Sequence, residues 1–214
     1  VEENIDQDVG LVLKINKMKN CHIDAEWCQR VLSDMLSKYK DRQCSVTMVH
    51  GYMTESEMRG LVTHPKIKAM INISHGEGFG LPLFEAAQVG LPIITVDWSG
   101  QTDFLYAPRA DKKTKKKKMK SHFLKVEYDL NHIQESAVWE GVLQKDSQWA
   151  FPKEGSYKMK LREMRKNYKM HQSYAKKLAT YVNKNFTVEQ QEHKFCEVVH
   201  GLSLIHISEP TRPY

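Results

Sequence analysis

A chain of 214 residues with 41% apolar content is long enough to bury a hydrophobic core and reads as one globular domain. It holds no apolar run near the roughly 18 to 20 residues of a membrane span and no signal-peptide pattern, so a cytoplasmic protein is expected. The formal charge of +6 invites a nucleic-acid reading. Much of it sits in one tract, Lys112-Lys113-Thr114-Lys115-Lys116-Lys117-Lys118-Met119-Lys120, with no aromatic interleaving and no recognisable reading module.

The predicted elements alternate strand and helix, which points to an α/β fold: a Rossmann-like three-layer domain with a parallel sheet covered on both faces. Residues 11–15 read as a strand ending near Lys14, 25–39 as an amphipathic helix, and 45–49 as a second strand. His50-Gly51-Tyr52-Met53-Thr54 leaves that strand at its carboxyl end, where ligands bind in such sheets. Thr54 with Glu57 makes a capping box for the next helix.

Residues 69–74 then read as a short buried strand feeding Ser74-His75-Gly76-Glu77-Gly78-Phe79-Gly80-Leu81-Pro82-Leu83-Phe84-Glu85-Ala86-Ala87. The alternating glycines let the backbone turn sharply and approach a ligand. Pro82 suits a first helical turn and Gly90 a C-terminal cap, which predicts a helix over 82–89. The unpaired amides of that first turn suit a phosphate. Glu77 in the turn and Glu85 on the helix are placed to face one cleft, where each carboxylate could accept hydrogen bonds from sugar hydroxyls. For Glu85 alone, simple complementarity to the helix dipole is the competing explanation.

Residues 93–97 follow as a core strand. Asp97 at its end leads into Trp98-Ser99-Gly100-Gln101-Thr102-Asp103. The lysine tract is expected to be a solvated, disordered insertion over about 110–121, because dense like charge repels itself; attraction to an anionic membrane is its functional alternative. Beyond it come a strand at 122–126, a segment bearing Trp139 and Trp149, and a long helix over 156–183 with a stripe of Leu161, Met164, Tyr168, His171, Ala175, Leu178 and Val182. His171 on that stripe reads as a satisfied core histidine. Thr187 can cap a last helix through Val199. The ending, 202–214, resembles the translation of a sequencing adaptor and is expected to be non-native or disordered.

Cys21, Cys28, Cys44 and Cys196 form no C-x-x-C pair, and Cys21, His22 and Cys28 lack metal-finger spacing, so reduced structural thiols are expected. Asn72-Ile73-Ser74 and Asn185-Phe186-Thr187 match the glycosylation pattern and are read as accidental.

The segment Gly76-Glu77-Gly78-Phe79-Gly80-Leu81-Pro82, with Glu85-Ala86-Ala87 and Gly90-Leu91-Pro92-Ile93-Ile94, places Glu77 and Glu85 in an E-x7-E pattern. It resembles the donor-site signature of family-four retaining glycosyltransferases, which have the GT-B fold. More loosely the resemblance runs over about 11–199. It implies that residues 1–201 are the nucleotide-sugar-binding C-terminal domain, the N-terminal acceptor domain being absent. A hexosyl group would pass from a nucleoside-diphosphate sugar to a glycan, lipid or other acceptor with retention, and the fragment alone would be inactive or nearly so.

By the same resemblance Glu85 binds the ribose hydroxyls, Glu77 contacts the transferred sugar, and the backbone of Gly78, Phe79, Gly80 and Leu81 faces sugar and diphosphate. Tyr52 and Met53 border the base. Ser99 and Gly100 lie in the next donor-side loop. Lys14 could reach a diphosphate, although the family's usual basic pair would precede Val1. No cofactor beyond the donor is implied, and no metal, because no Asp-x-Asp cluster is present.

The alternative is a nucleotide- or anion-binding module without catalysis, including a dinucleotide-binding Rossmann unit with Asp97 as its acidic residue. Against the latter, the glycines are spaced G-x-G-x-G where G-x-G-x-x-G is needed, and Glu77 would sit against a pyrophosphate.

Overall fold

A computed structural model describes residues 4–18, 20–111 and 116–208. The chain divides into two compact units, residues 1–61 and 62–214.

In the first unit, β1 (Gly10–Ile15) and β2 (Ser45–His50) pair in parallel, with Lys14 opposite Val49 and Ile15 opposite His50. Parallel neighbours need a crossover, and α1 (His22–Leu36) supplies it. The helix starts and stops three residues before the predicted 25–39: extended Cys21 is its N-cap, and Ser37, whose amide donates to the Ser33 carbonyl, is its C-cap. The capping box forms as the sequence predicts: the Thr54 amide donates to Glu57 Oε2 at 2.7 Å and the Glu57 amide donates to Thr54 Oγ1 at 3.3 Å, starting α2 (Glu55–Thr63).

The second unit carries β3 (Met70–Asn72), α3 (Leu81–Gln88), β4 (Ile93–Val96), the short α4 (Thr102–Leu105), the hairpin β5 (Tyr106–Ala110) with β6 (Lys117–Ser121), and β7 (Leu124–Val126). Next come the hairpin β8 (Tyr128–His132) with β9 (Gln148–Pro152), then α5 (Glu154–Lys166), α6 (Tyr168–Asn185) and α7 (Val188–Ser208). Strands β3, β4 and β7 form a parallel sheet in the order β3-β4-β7.

The central strand, Ile93-Ile94-Thr95-Val96, is buried throughout, as a strand covered on both faces must be. Ile93 joins Leu83, Ala86 and Ala87 of α3 and Leu178 and Val182 of α6. Ile94 and Val96 join Met164 and Leu161 of α5 from the opposite face. The fold class is therefore α/β, helix layers enclosing a parallel sheet, as the sequence implies.

This layering corrects the single helix predicted over 156–183. The backbone breaks at Asn167 (φ −115°, ψ 29°), whose amide closes α5 on the Glu163 carbonyl while its own carbonyl accepts from the His171 amide. One straight helix could not cover both faces of the sheet, and the break sends Met164 to one side and Leu178 to the other.

Other elements differ too. The strand expected to be buried over 69–74 is half-exposed, with Ile71 at 37% and Ile73 at 38%, because β3 has a neighbour on one side only in its sheet. The segment holding Trp149 is a strand. Part of the lysine tract is ordered rather than disordered: Lys118 sits opposite Arg109 and Lys120 opposite Ala107 in the β5–β6 hairpin, while 112–115 lie outside the described residues. Helix α7 continues through Ser208 into the tail expected to be disordered, of which 209–214 lie outside the described residues.

Candidate functional site

The glycine turn and α3 adopt the predicted form, shifted by one residue. Gly80, at the N-cap of α3, is left-handed (φ +85°), and Pro82 occupies the first turn. At the other end Gly90 is left-handed (φ +72°), its amide bonds to Ala87 O and the Leu91 amide to Ala86 O, the paired bonds of a Schellman cap.

Glu77 is half-buried in the turn. Its Oε1 accepts from Asn72 Nδ2 at 2.7 Å and from Ser74 Oγ at 3.2 Å, while Asn72 Oδ1 accepts from the Ser74 amide at 2.9 Å. Asn72 thus couples the end of β3 to the carboxylate in the turn. Glu85 is exposed on α3, on the face of Leu81 and Gln88 and away from buried Leu83, Ala86 and Ala87. Its carboxylate takes no hydrogen bond from another described residue.

Ser99 and Gly100 hold the turn from behind. Ser99 Oγ donates to the Glu77 carbonyl at 2.7 Å, and the Gly100 amide donates to the same oxygen at 3.1 Å. Ser99 is itself left-handed (φ 74°), unusual for a residue with a side chain. A Cβ on Gly100 would lie 1.9 Å from the Gly78 carbonyl oxygen, so only glycine allows the two loops this close. Both residues are therefore committed to positioning the turn.

Gly78 is open to solvent, with nothing within 4 Å of where a Cβ would be, and Leu81 is 63% exposed. Phe79 is half-exposed, and its ring contacts Phe84 and Phe104 at centroid separations of 5.2 and 5.1 Å, so it also anchors the turn to the core. In the first unit, Lys14 Nζ donates to the Gly51 carbonyl, the Tyr52 amide donates to Asn20 Oδ1 at 2.8 Å, the Tyr52 ring is exposed and Met53 is half-buried.

Asp97 is spoken for. Its Oδ2 accepts from Lys125 Nζ and its Oδ1 from Tyr106 Oη, both at 2.7 Å, and Lys125 Nζ also donates to Tyr106 Oη. Burial raises the Tyr106 pKa and the lysine counters it; burial pulls Lys125 down, but the bonds to Asp97 and Tyr106 outweigh it and raise its pKa. A carboxylate so engaged is not free to take ribose hydroxyls.

Two contributors escaped the sequence. Asn72 reads from sequence as a strand residue and an accidental glycosylation match; the signal for its role is an Asn two residues before a Ser at a strand end, an Asx turn. His75 stacks on Trp149 (centroids 4.6 Å apart, interplanar angle 5°), its Nδ1–H donates to the Ala150 carbonyl at 2.7 Å, and the Ala150 amide donates to the His75 carbonyl at 3.2 Å. Strand β9 therefore braces the turn, over a sequence distance no local pattern reveals.

His171 is buried as expected but not satisfied: its Nε2 has no hydrogen-bond partner among the described residues, and Glu163 Oε1 stands 3.7 Å away. Burial lowers its pKa, partly offset by Glu163.

No protein-family model matches the chain, and no curated protein matches it. A chain in the crystal structure of a GtfA/B complex aligns with 14% identity and a TM-score of 0.36, over 92% of this chain and 36% of that one. The present chain thus spans little more than a third of that chain's length. The α/β assignment rests on the chain's own strands and helices.

Proposed function

We propose that the chain is the donor-binding part of a glycosyltransferase, of the retaining, family-four kind with the GT-B fold, which takes a nucleoside-diphosphate sugar. What carries this reading is Glu77: a carboxylate aimed by Asn72 and Ser74, in a turn clamped by Ser99 and Gly100, leading through left-handed Gly80 into a helix that exposes Glu85. The spacing of the two acids and the glycines between them resembles the donor site of that family.

In this reading the α3 first-turn amides face the diphosphate, Glu85 accepts the ribose hydroxyls and Glu77 a hydroxyl of the sugar. During transfer the bond from the anomeric carbon to the diphosphate oxygen breaks, and the acceptor oxygen bonds to the same face. The acceptor's proton passes to the departing diphosphate. Amide dipoles would stabilise the charge developing on that leaving group.

Calorimetric titration of UDP, GDP, ADP and their sugars into wild type and Glu85→Ala tests the proposal by binding, since in GT-B enzymes a second domain holds the acceptor. Glu85→Ala is expected to lose about 1 to 3 kcal/mol of nucleotide affinity, the worth of a charge-assisted hydrogen bond. Equal affinity in the two proteins removes the ribose assignment, and no binding by wild type removes the function.

A further inference from the structure

A separate cluster lies wholly in the first unit and plays no part in the site above. Asp24 and Cys28 are one turn apart on α1, and His50 ends β2. Asp24 is 7% exposed, Cys28 5%, and the His50 side chain 11%. Asp24 Oδ2 and His50 Nε2 are 3.0 Å apart, and one carboxylate oxygen, one ring nitrogen and the Cys28 Sγ all fall within 4.8 Å of one another. We propose that Asp24, Cys28 and His50 bind a late first-row divalent metal ion, Zn2+ being the best fit, as a clip between α1 and the end of β2.

The donor set selects the metal. An oxygen, a nitrogen and a sulfur suit Zn2+ or Co2+, whereas Mg2+ and Ca2+ prefer oxygen alone. Tetrahedral zinc, with bonds of about 2.0 to 2.3 Å, spaces its donors about 3.3 to 3.7 Å apart, so the cluster needs only side-chain adjustments to close on an ion. A carboxylate, a thiolate and a neutral imidazole carry two negative charges, matching a dication, with the thiol proton released to solvent on binding.

The surroundings support the same reading. The amides of Lys17 and Met18 donate to Asp24 Oδ2 at 2.9 and 3.3 Å, the outer bonds that orient a ligating carboxylate. Of the described lysines near the cluster, Lys17 holds its Nζ 3.6 Å from the Trp27 ring centroid and Lys14 donates to the Gly51 carbonyl. The competing explanation is an Asp24–His50 hydrogen bond that merely closes the loop after β1, which gives Cys28 no role.

Cobalt separates the two. Untagged protein, stripped with chelator and titrated with Co2+, is expected to develop a thiolate-to-cobalt charge-transfer band saturating at one equivalent, which Zn2+ then abolishes. Cys28→Ser, nearly isosteric, should remove the band while circular dichroism stays native, and His50→Gln should shift or weaken it. Cys21→Ser should leave it intact. Absence of the band in wild type, or its survival in Cys28→Ser, overturns the proposal.

Discussion

Asn72 Nδ2 donates to Glu77 Oε1 at 2.7 Å, so the side chain ending β3 sets the direction of the carboxylate five residues later. The bond turns a short half-exposed strand into the support of the glycine turn. Because the same asparagine accepts from the Ser74 amide, the carboxylate is referenced to the backbone rather than to another mobile side chain.

Asn72→Ala should therefore weaken binding of a nucleotide sugar more than binding of the bare nucleoside diphosphate. About 1 kcal/mol, or fivefold, is the expected difference for one lost hydrogen bond. Parallel titrations of the two ligands read it, and equal losses for both would assign Asn72 to the fold rather than to the sugar.

Gly100→Ala should destabilise the second unit by about 3 kcal/mol, since its methyl would collide with the Gly78 carbonyl and force the two loops apart. Denaturant unfolding measures this. Stability within about 0.5 kcal/mol of wild type would show that the loops do not meet in this way.

Acid should weaken the fold through His122 and His171. Burial holds both below the ordinary histidine value of 6.5, although the Lys120 carbonyl on His122 and Glu163 near His171 oppose it; Arg109 and Lys177 push His122 lower still, and Lys160 does the same to His171. The native state thus stays neutral while the unfolded chain takes up protons, and stability falls as pH drops below about 6.5. His171→Leu should flatten that dependence between about pH 7.5 and 5.5 in urea titrations, and an unchanged slope would rule His171 out as a source.

The lysine strand should draw the protein to anionic lipid. Lys117 and Lys118 are exposed on β6, beside Arg109 on β5, and each cation near a charged bilayer is worth on the order of 1 kcal/mol. Sedimentation with phosphatidylserine vesicles, but not with phosphatidylcholine vesicles, is expected at low salt, with release at high salt and reduced binding by Lys117→Glu/Lys118→Glu. Sedimentation that ignores lipid charge would leave β6 as a plain hairpin strand.

Local chemistry made much of this readable in advance. The Thr54–Glu57 box, Pro82 in the first turn of α3 and Gly90 at its end are decided by residues within a few positions of each other, and each was legible. The break at Asn167 was not, because an unbroken three- and four-residue periodicity says only that both halves bury one stripe, not that they bury it against opposite faces. The bracing of His75 by Trp149, 74 positions away, carries no local signature either.

By itself, then, the chain specified its alternation of strands and helices, its glycine turn and the two acids spaced around it, since propensity, capping and side-chain period act over one or two turns. Only the tertiary structure decided that Asn72 steers Glu77, that Gly100 must be bare beneath Gly78, and that Asp24 and Cys28 meet His50. Those contacts depend on where separate elements come to rest against one another, and that is settled by burial across the whole unit, which no short window of sequence contains.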